Sequence, residues 1–201
     1  MDLPQEIEAK FLQVNHDDIR ASLKKAGATL VHPMRLMRRN LFDHPDDRYK
    51  KAFQHEKLRL RDEGDKLTIN YKKKSSDSPY VHELETTVGS YDDMKQILFA
   101  IGFKTYSYQE SKRETWHLDD VEVVLDEWPW LDTYIEIEGP SEPAIQAAAK
   151  KLGFDWSGAY FGSVDTAYRA QYPKMTKEDS IANVAEVRFG DPLPEYFKHL
   201  Q

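Results

Sequence analysis

Between Glu6 and Phe11 the chain reads EIEAKF, with Glu6, Glu8 and Lys10 at alternate positions and Ile7, Ala9 and Phe11 between them. A helix would turn position i+2 to the side opposite i and i+4, whereas a strand lines all three along one face. The stretch therefore reads as a strand with one charged and one apolar face. Taken alone it is compatible with an ordinary half-buried strand whose wet side carries the charge. The pattern recurs, however. EKLRLRD sets Arg59 and Arg61 against Leu58 and Leu60, and the next run sets Asn70, Lys72 and Lys74 against Leu67, Ile69 and Tyr71. HELET offers Glu83 and Glu85 against Leu84, and YIEIEG offers Glu136 and Glu138 against Ile135 and Ile137. VVLDEW adds Asp126, and SKRET contributes Arg113.

A sheet face open to water mixes both signs of charge, because opposite pairs across strands attract and like pairs repel. Here whole strands are acidic and others basic. Paired carboxylates call for a cation and paired guanidiniums for an anion. A polyanion carrying a divalent metal meets both demands: hard cations such as magnesium or manganese take carboxylate oxygens, and arginine forks fit phosphate oxygens. If the charged faces converge, the apolar faces point outward, and the sheet closes into a barrel with a polar bore.

The remaining elements suit that plan. NHDDIRASLKKAG predicts a helix capped by Asn15 and stopped at Gly27, with Ile19 and Leu23 on its buried side. SYDDMKQILFAIG predicts a second, from Ser90 to Gly102, and a third covers Glu142 to Leu152, with a shorter one over Val164 to Gln171. A long strand is expected over 28–44, interrupted near Pro33, followed by a polar connection, and a hairpin turns at Asp62 to Asp65 around Gly64. About eight strands, mostly joined by hairpins, give an α+β fold built on one antiparallel sheet or on that sheet closed into a barrel. From Pro173 onward the chain is polar and is expected to lie over the domain surface.

A length of 201 residues suits one domain, and a net charge of -7 disfavours nucleic acid as the main partner. The absence of cysteine excludes disulfides and thiolate metal sites. No stretch is long and apolar enough to span a bilayer and the start of the chain lacks an apolar leader, so a cytoplasmic protein with no membrane partner is expected. The histidines show no ligand spacing, and Trp116, Trp128, Trp130 and Trp156 are read as outer packing residues rather than as a stacking platform.

The ordered series of charged strands resembles the CYTH family, also called triphosphate tunnel metalloenzymes, which includes class IV adenylate cyclases, thiamine triphosphatases and inorganic triphosphatases. The resemblance rests on the E-x-E-x-K strand at Glu6, Glu8 and Lys10, the R-x-R strand at Arg59 and Arg61, Lys72, the E-x-E at Glu83 and Glu85, Arg113, Asp126, and the closing E-x-E at Glu136 and Glu138. It implies an eight-stranded antiparallel β-barrel over residues 1–172, with helices packed outside and residues 173–201 packed on the same domain. It also implies a triphosphate-bearing small molecule bound with magnesium or manganese. Glu6, Glu8, Glu136 and Glu138 are then the leading metal ligands, with Glu83, Glu85 and Asp126 as further candidates. Lys10, Arg39, Arg59, Arg61, Lys72 and Arg113 are the phosphate-binding set, and Lys10, Glu6 and Glu8 the catalytic candidates. On the second strand Arg39 competes with Arg35 and Arg38, because a slip of one residue exchanges the faces. A further basic residue near the C-terminus has only Arg169 and Lys174 as candidates.

Three functions follow: a metal-dependent triphosphatase, an adenylate cyclase that converts ATP to cyclic AMP and pyrophosphate, and a non-catalytic polyphosphate-binding module. Hydrolysis is favoured, because cyclisation also needs a nucleoside oriented in line with the α-phosphorus, and no residues dedicated to that task are evident. The chain is expected as a monomer or homodimer.

Overall fold

The computed structural model describes residues 5–51, 56–74 and 80–200. The later part of the polar connection, over 52–55, and residues 75–79 lie outside the described residues. The elements in chain order are β1 (Gln5–Leu12), α1 (His16–Lys25), β2 (Thr29–Asp43), α2 (Arg48–Lys51), β3 (Glu56–Asp62), β4 (Leu67–Lys74) and β5 (Val81–Thr87). They continue with α3 (Tyr91–Ala100), β6 (Lys104–Leu118), β7 (Val121–Glu127), β8 (Tyr134–Gly139), α4 (Glu142–Lys151), α5 (Asp165–Gln171), β9 (Glu186–Val187) and α6 (Glu195–Lys198).

The strands run in the order β2-β3-β4-β5-β1-β8-β7-β6, and β2 pairs again with β6, which closes eight antiparallel strands into a barrel. Closure removes the free edges that an open sheet would leave unpaired. β9 adds to β6 from outside in parallel register, Tyr108 with Glu186 and Gln109 with Val187. The long β2–β6 ladder shifts register between Leu30 and His32 and again between His32 and Arg35, where Pro33 has no N–H to donate. β1 meets β5 through Gln5 and Glu6, and farther along β1 the backbone of Lys10 exchanges hydrogen bonds with Tyr160, at 2.8 and 2.9 Å.

The helices cover the apolar outer face of the barrel, as the alternation requires. Asn15 caps α1 by accepting from the backbone N–H groups of Asp17 and Asp18, and Ser90 caps α3 through Asp93. Ile19 and Leu23 of α1 join Ala9, Phe11, Trp116, Ile135 and Ile137 in the main core, to which α4 adds Ile145, Ala148 and Ala149. A smaller cluster places Leu98 of α3 over Phe42 and Leu60. A third gathers Trp128, Tyr134, Tyr168 and Tyr172 with Met175, Ile181, Val187 and Phe197 from the C-terminal segment. That segment is folded onto the barrel through buried apolar side chains. Among the described residues no helix is long and apolar enough to cross a membrane.

Candidate functional site

Each strand from β1 to β8 turns one of its two alternating faces inward, and the bore they enclose is a cavity of about 1090 Å³. Glu6, Glu8, Lys10, Arg39, Arg59, Arg61, Lys72, Glu83, Glu85, Arg113, Glu136 and Glu138 all line it. Of the expected site residues, Asp126 alone does not line the cavity. It is 1% exposed and lies behind Arg113, whose Nε donates to it at 2.7 Å. The ambiguity on β2 resolves through register: Arg39 is the Cα partner of Arg61 on one side and of Gln109 on the other, and Arg35 shares its inward face. Arg38 points outward and is exposed.

The two sides of the bore differ in charge. On the acidic side β1 and β8 pair Glu8 with Glu138 and Lys10 with Glu136. Lys10 is 1% exposed and its Nζ lies 2.7 Å from Glu8 and 3.2 Å from Glu136. Burial works against its charge, but Glu136 and Glu8 outweigh burial and hold the ammonium above its ordinary pKa. Glu136 also accepts from Arg113 at 2.7 Å, and Lys10 and Arg113 together hold its carboxylate below the ordinary range despite burial. Lys72 bridges Glu6 and Glu83, the latter at 2.9 Å. Burial, with repulsion from Glu8 and Glu83, raises Glu6, whereas Lys72 and Arg59 lower Glu83 in spite of its burial. The two carboxyls are thus pushed to opposite sides of the ordinary carboxylate range around one ammonium.

Glu138 differs from its neighbours. Its Cα partners are Glu8 on β1 and Glu122 on β7, so three carboxylates form a row across adjacent strands. Burial first, and then Glu8 and Glu122, push Glu138 up to about 7. Glu138 lines the bore and is itself exposed.

On the basic side the imbalance is cationic. Arg39 is 8% exposed, and among the described residues its guanidinium contacts the Ser111 hydroxyl and the face of Trp128, 4.5 Å from the ring centroid. Burial lowers its pKa far below the usual value, and Arg59, Arg61 and Arg113 lower it further. Arg61 is brought down to about 10 by burial and Arg59, with Glu63 at 2.5 Å and Glu85 at 3.3 Å opposing the change. Among the described residues the nearest carboxylate to Arg59 is Glu83, at 3.9 Å. Among the described residues the buried Nε atoms of Arg35, Arg39, Arg59 and Arg61 have no hydrogen-bond partner. Guanidiniums left unsatisfied in this way form a receptor for an oxyanion.

Several lining residues were not singled out in the sequence. Glu122 shares the inward parity of Asp126 on β7, and Lys57 that of Arg59 on β3, so alternation was an available signal for both. Glu63 stands in the β3–β4 turn, is 3% exposed, and pairs with Arg35, Arg61 and Lys66, and no periodicity marks it. Trp128, expected among the outer packing residues, lines the bore while its other side joins the C-terminal cluster. Arg169 and the segment from Lys177 to Asn183 also line the cavity, whereas Lys174 does not.

The donors available to a cation are carboxylate oxygens, the chemistry suited to magnesium or manganese. Among the described residues no three carboxylates are gathered closely enough to hold an ion as they stand. The ion pairs show why: Lys10 occupies Glu8 and Glu136, and Lys72 occupies Glu6 and Glu83.

Comparison with known proteins agrees with this architecture. A protein from Vibrio parahaemolyticus proposed to be an adenylate cyclase superposes with a TM-score of 0.72 at 14% identity, over 83% of this chain and 99% of that one. The PH1012 protein of Pyrococcus horikoshii superposes with a TM-score of 0.62 at 22% identity, over 77% of this chain and 94% of that one. A Hippeastrum protein proposed to be an adenylyl cyclase, and described as having a dominant triphosphatase activity, superposes with a TM-score of 0.54 at 15% identity, over 87% and 99% of the two chains. No curated protein matches the sequence. Identities this low show the fold alone. The model of the CYTH domain matches residues 4–170, most of the chain and all eight barrel strands, and the chain belongs to the CYTH domain family.

Proposed function

We propose that the bore binds a triphosphate-bearing small molecule together with magnesium or manganese and hydrolyses its terminal phosphoanhydride bond. The observation that carries this reading is the uncompensated cationic side of the cavity: Arg39 and Arg59 face inward with unpartnered Nε atoms and no carboxylate within 3.5 Å among the described residues. A phosphate chain laid against them would relieve both the repulsion among the guanidiniums and their missing hydrogen bonds.

The acidic side supports a divalent ion, with Glu6, Glu8 and Glu138 as its first candidate ligands and Glu136, Glu83 and Glu85 within the same bore. When bound, such an ion would supply Lewis-acid polarisation of phosphoryl oxygen or water. The chain's own part is the exchange of partners. Lys10 and Lys72, now held by carboxylates, can pass to phosphate oxygens as the carboxylates are released from them. Asp126 and Glu136 hold the Arg113 fork in orientation.

In the reaction a water oxygen forms a bond to the terminal phosphorus while the bridging P–O bond breaks, and tripolyphosphate yields orthophosphate and pyrophosphate. Arg39, Arg59 and Arg61 neutralise the charge that develops on the phosphoryl oxygens, in a site whose donors are already oriented. Lys10 acts through its charge, its ammonium donating to phosphoryl oxygens once the carboxylates release it. Cyclisation finds less support, since the face of Trp128, the aromatic residue beside the arginines, is already covered by Arg39.

A panel of tripolyphosphate, ATP and thiamine triphosphate, assayed with magnesium or manganese for phosphate, pyrophosphate and cyclic AMP, tests this reading. Metal-dependent release of orthophosphate supports it. Cyclic AMP with stoichiometric pyrophosphate from ATP, and untouched tripolyphosphate, would replace it with the cyclase, and tight binding without turnover would replace it with the binding module.

A further inference from the structure

The inward face of β3 carries a third cation in line with its two arginines. Lys57 lies two residues before Arg59, lines the bore, and is the Cα partner of Lys72 across the β3–β4 pair. The two lysines are compensated differently. Lys72 is bridged by Glu6 and Glu83, whereas among the described residues the carboxylate nearest Lys57 is Asp165, at 3.7 Å. That separation is too long for a hydrogen bond.

Asp165 is moreover engaged elsewhere. Its oxygens accept from the Ser180 hydroxyl and the Ile181 N–H at 2.9 Å and from the Ser163 hydroxyl at 3.1 Å. It is a peg that fastens α5 to the C-terminal segment, which itself lines this end of the bore from Lys177 to Asn183. The Lys57 side chain is 21% exposed, and its other charged neighbours include Lys72, Arg59 and Arg169, all cations. An ammonium so placed adds to the positive surplus of the arginines and can turn its donors into the cavity.

We propose that Lys57 is a further substrate-binding residue, which contacts a phosphate group at the end of the bore lined by the C-terminal segment and makes β3 a ladder of three cationic rungs. The inference rests on the triphosphate reading and deepens it by assigning a chain-length preference. At a rise of about 3.3 Å per residue, Arg59 and Arg61 span about 7 Å and the ladder with Lys57 about 13 Å. Pyrophosphate can be gripped by the arginines alone, whereas a longer phosphate chain reaches the lysine. Asp165 is then a positioning residue that keeps the C-terminal segment in place behind the ammonium.

The test is calorimetric titration of the full chain with inorganic tripolyphosphate and, separately, pyrophosphate, with calcium as the hard cation, for the wild type, Lys57→Ala and Lys57→Arg. Lys57→Ala should weaken tripolyphosphate about tenfold and pyrophosphate less than about twofold, and Lys57→Arg should restore most of the loss. Equal weakening of both ligands would mark a structural role and overturn the proposal, as would no weakening of either. Should the alanine variant fail to fold, Lys57→Gln keeps the stem and gives the same discrimination. A wild-type protein that binds neither ligand would instead overturn the triphosphate reading itself, so the two failures are distinct.

Discussion

On the side of the bore built by β1 and β8, Lys10 stands between Glu8 and Glu136, Lys72 joins Glu6 to Glu83, and Arg113 joins Glu136 to Asp126. On the side built by β2 and β3, Arg39 has a hydroxyl and an indole face, and Arg59 has a carboxylate at 3.9 Å. The first side is a compensated network in which each lysine satisfies two carboxylates. The second holds like charges together: Arg61 is met by Glu63 and Glu85, but among the described residues Arg39 and Arg59 have no carboxylate within hydrogen-bond distance. Burial costs free energy on both sides, but the acidic side recovers much of it within the folded chain, and the basic side can recover it from a ligand. Stability and binding should therefore respond in opposite ways to mutation of the two sides.

The largest effect should separate Lys10→Met from Arg39→Met. Removing Lys10 leaves Glu8 without its partner and Glu136 with only Arg113, and breaking a buried pair costs about 3–5 kcal/mol. Removing Arg39 takes away a buried charge repelled by three other guanidiniums, so urea denaturation should find that variant as stable as the wild type or more so. Its tripolyphosphate affinity should nevertheless fall at least about tenfold. Equal destabilisation by both substitutions would break the comparison.

Next in size is the response of turnover to the carboxylates. Glu8→Gln and Glu138→Gln remove hard-oxygen ligands without changing side-chain volume, and each should lower metal-dependent turnover by about 100-fold or more; Glu8→Gln also breaks the ion pair with Lys10 and should lower the melting temperature, whereas Glu138→Gln should change it little. Unchanged turnover in both variants would contradict the assignment of the metal to this side.

The smallest effect is a dependence on pH. Glu138 is raised to about 7, above the value of 4.5 it has when unfolded, so between those values the folded chain holds the extra proton. The contribution of this group to stability is present in full below pH 4.5 and is lost as pH rises through about 7. In melting curves the metal-free wild type should lose stability relative to Glu138→Gln over that window, and added magnesium should remove the difference, since the cation takes the place of the proton. A difference independent of pH would sink this assignment.

Much of this contrast is legible in the alternation of charge, because in a strand the inward face is fixed by parity alone. Glu6, Glu8 and Lys10, Arg59 and Arg61, and Glu136 and Glu138 needed no more than that, and the caps at Asn15 and Ser90 marked the helices that cover the outside. Parity also held Lys57 and Glu122, passed over because neither belongs to a matched pair of like residues. Arg39 could not be separated from Arg38 before the register with Arg61 fixed the face of β2. Glu63 and the segment from Lys177 to Asn183 were beyond reach: a turn and an irregular segment have no period, and their places depend on tertiary contacts such as Ser180 with Asp165. Asp126 shows the reverse limit, for parity aims it inward but Arg113 covers it.

The central claim is that one bore holds a phosphate chain against its basic side and a divalent ion against its acidic side. A crystal structure of the protein with tripolyphosphate and manganese, with anomalous scattering used to locate the metal, tests it most directly. The account predicts phosphate oxygens within hydrogen-bond distance of Arg39, Arg59 and Arg61, a manganese peak bound by Glu8 and Glu138, and Lys10 turned from Glu8 toward phosphate. Manganese and phosphate bound outside the bore, with the Lys10 and Lys72 bridges intact and the arginine Nε atoms still unpartnered, would contradict it.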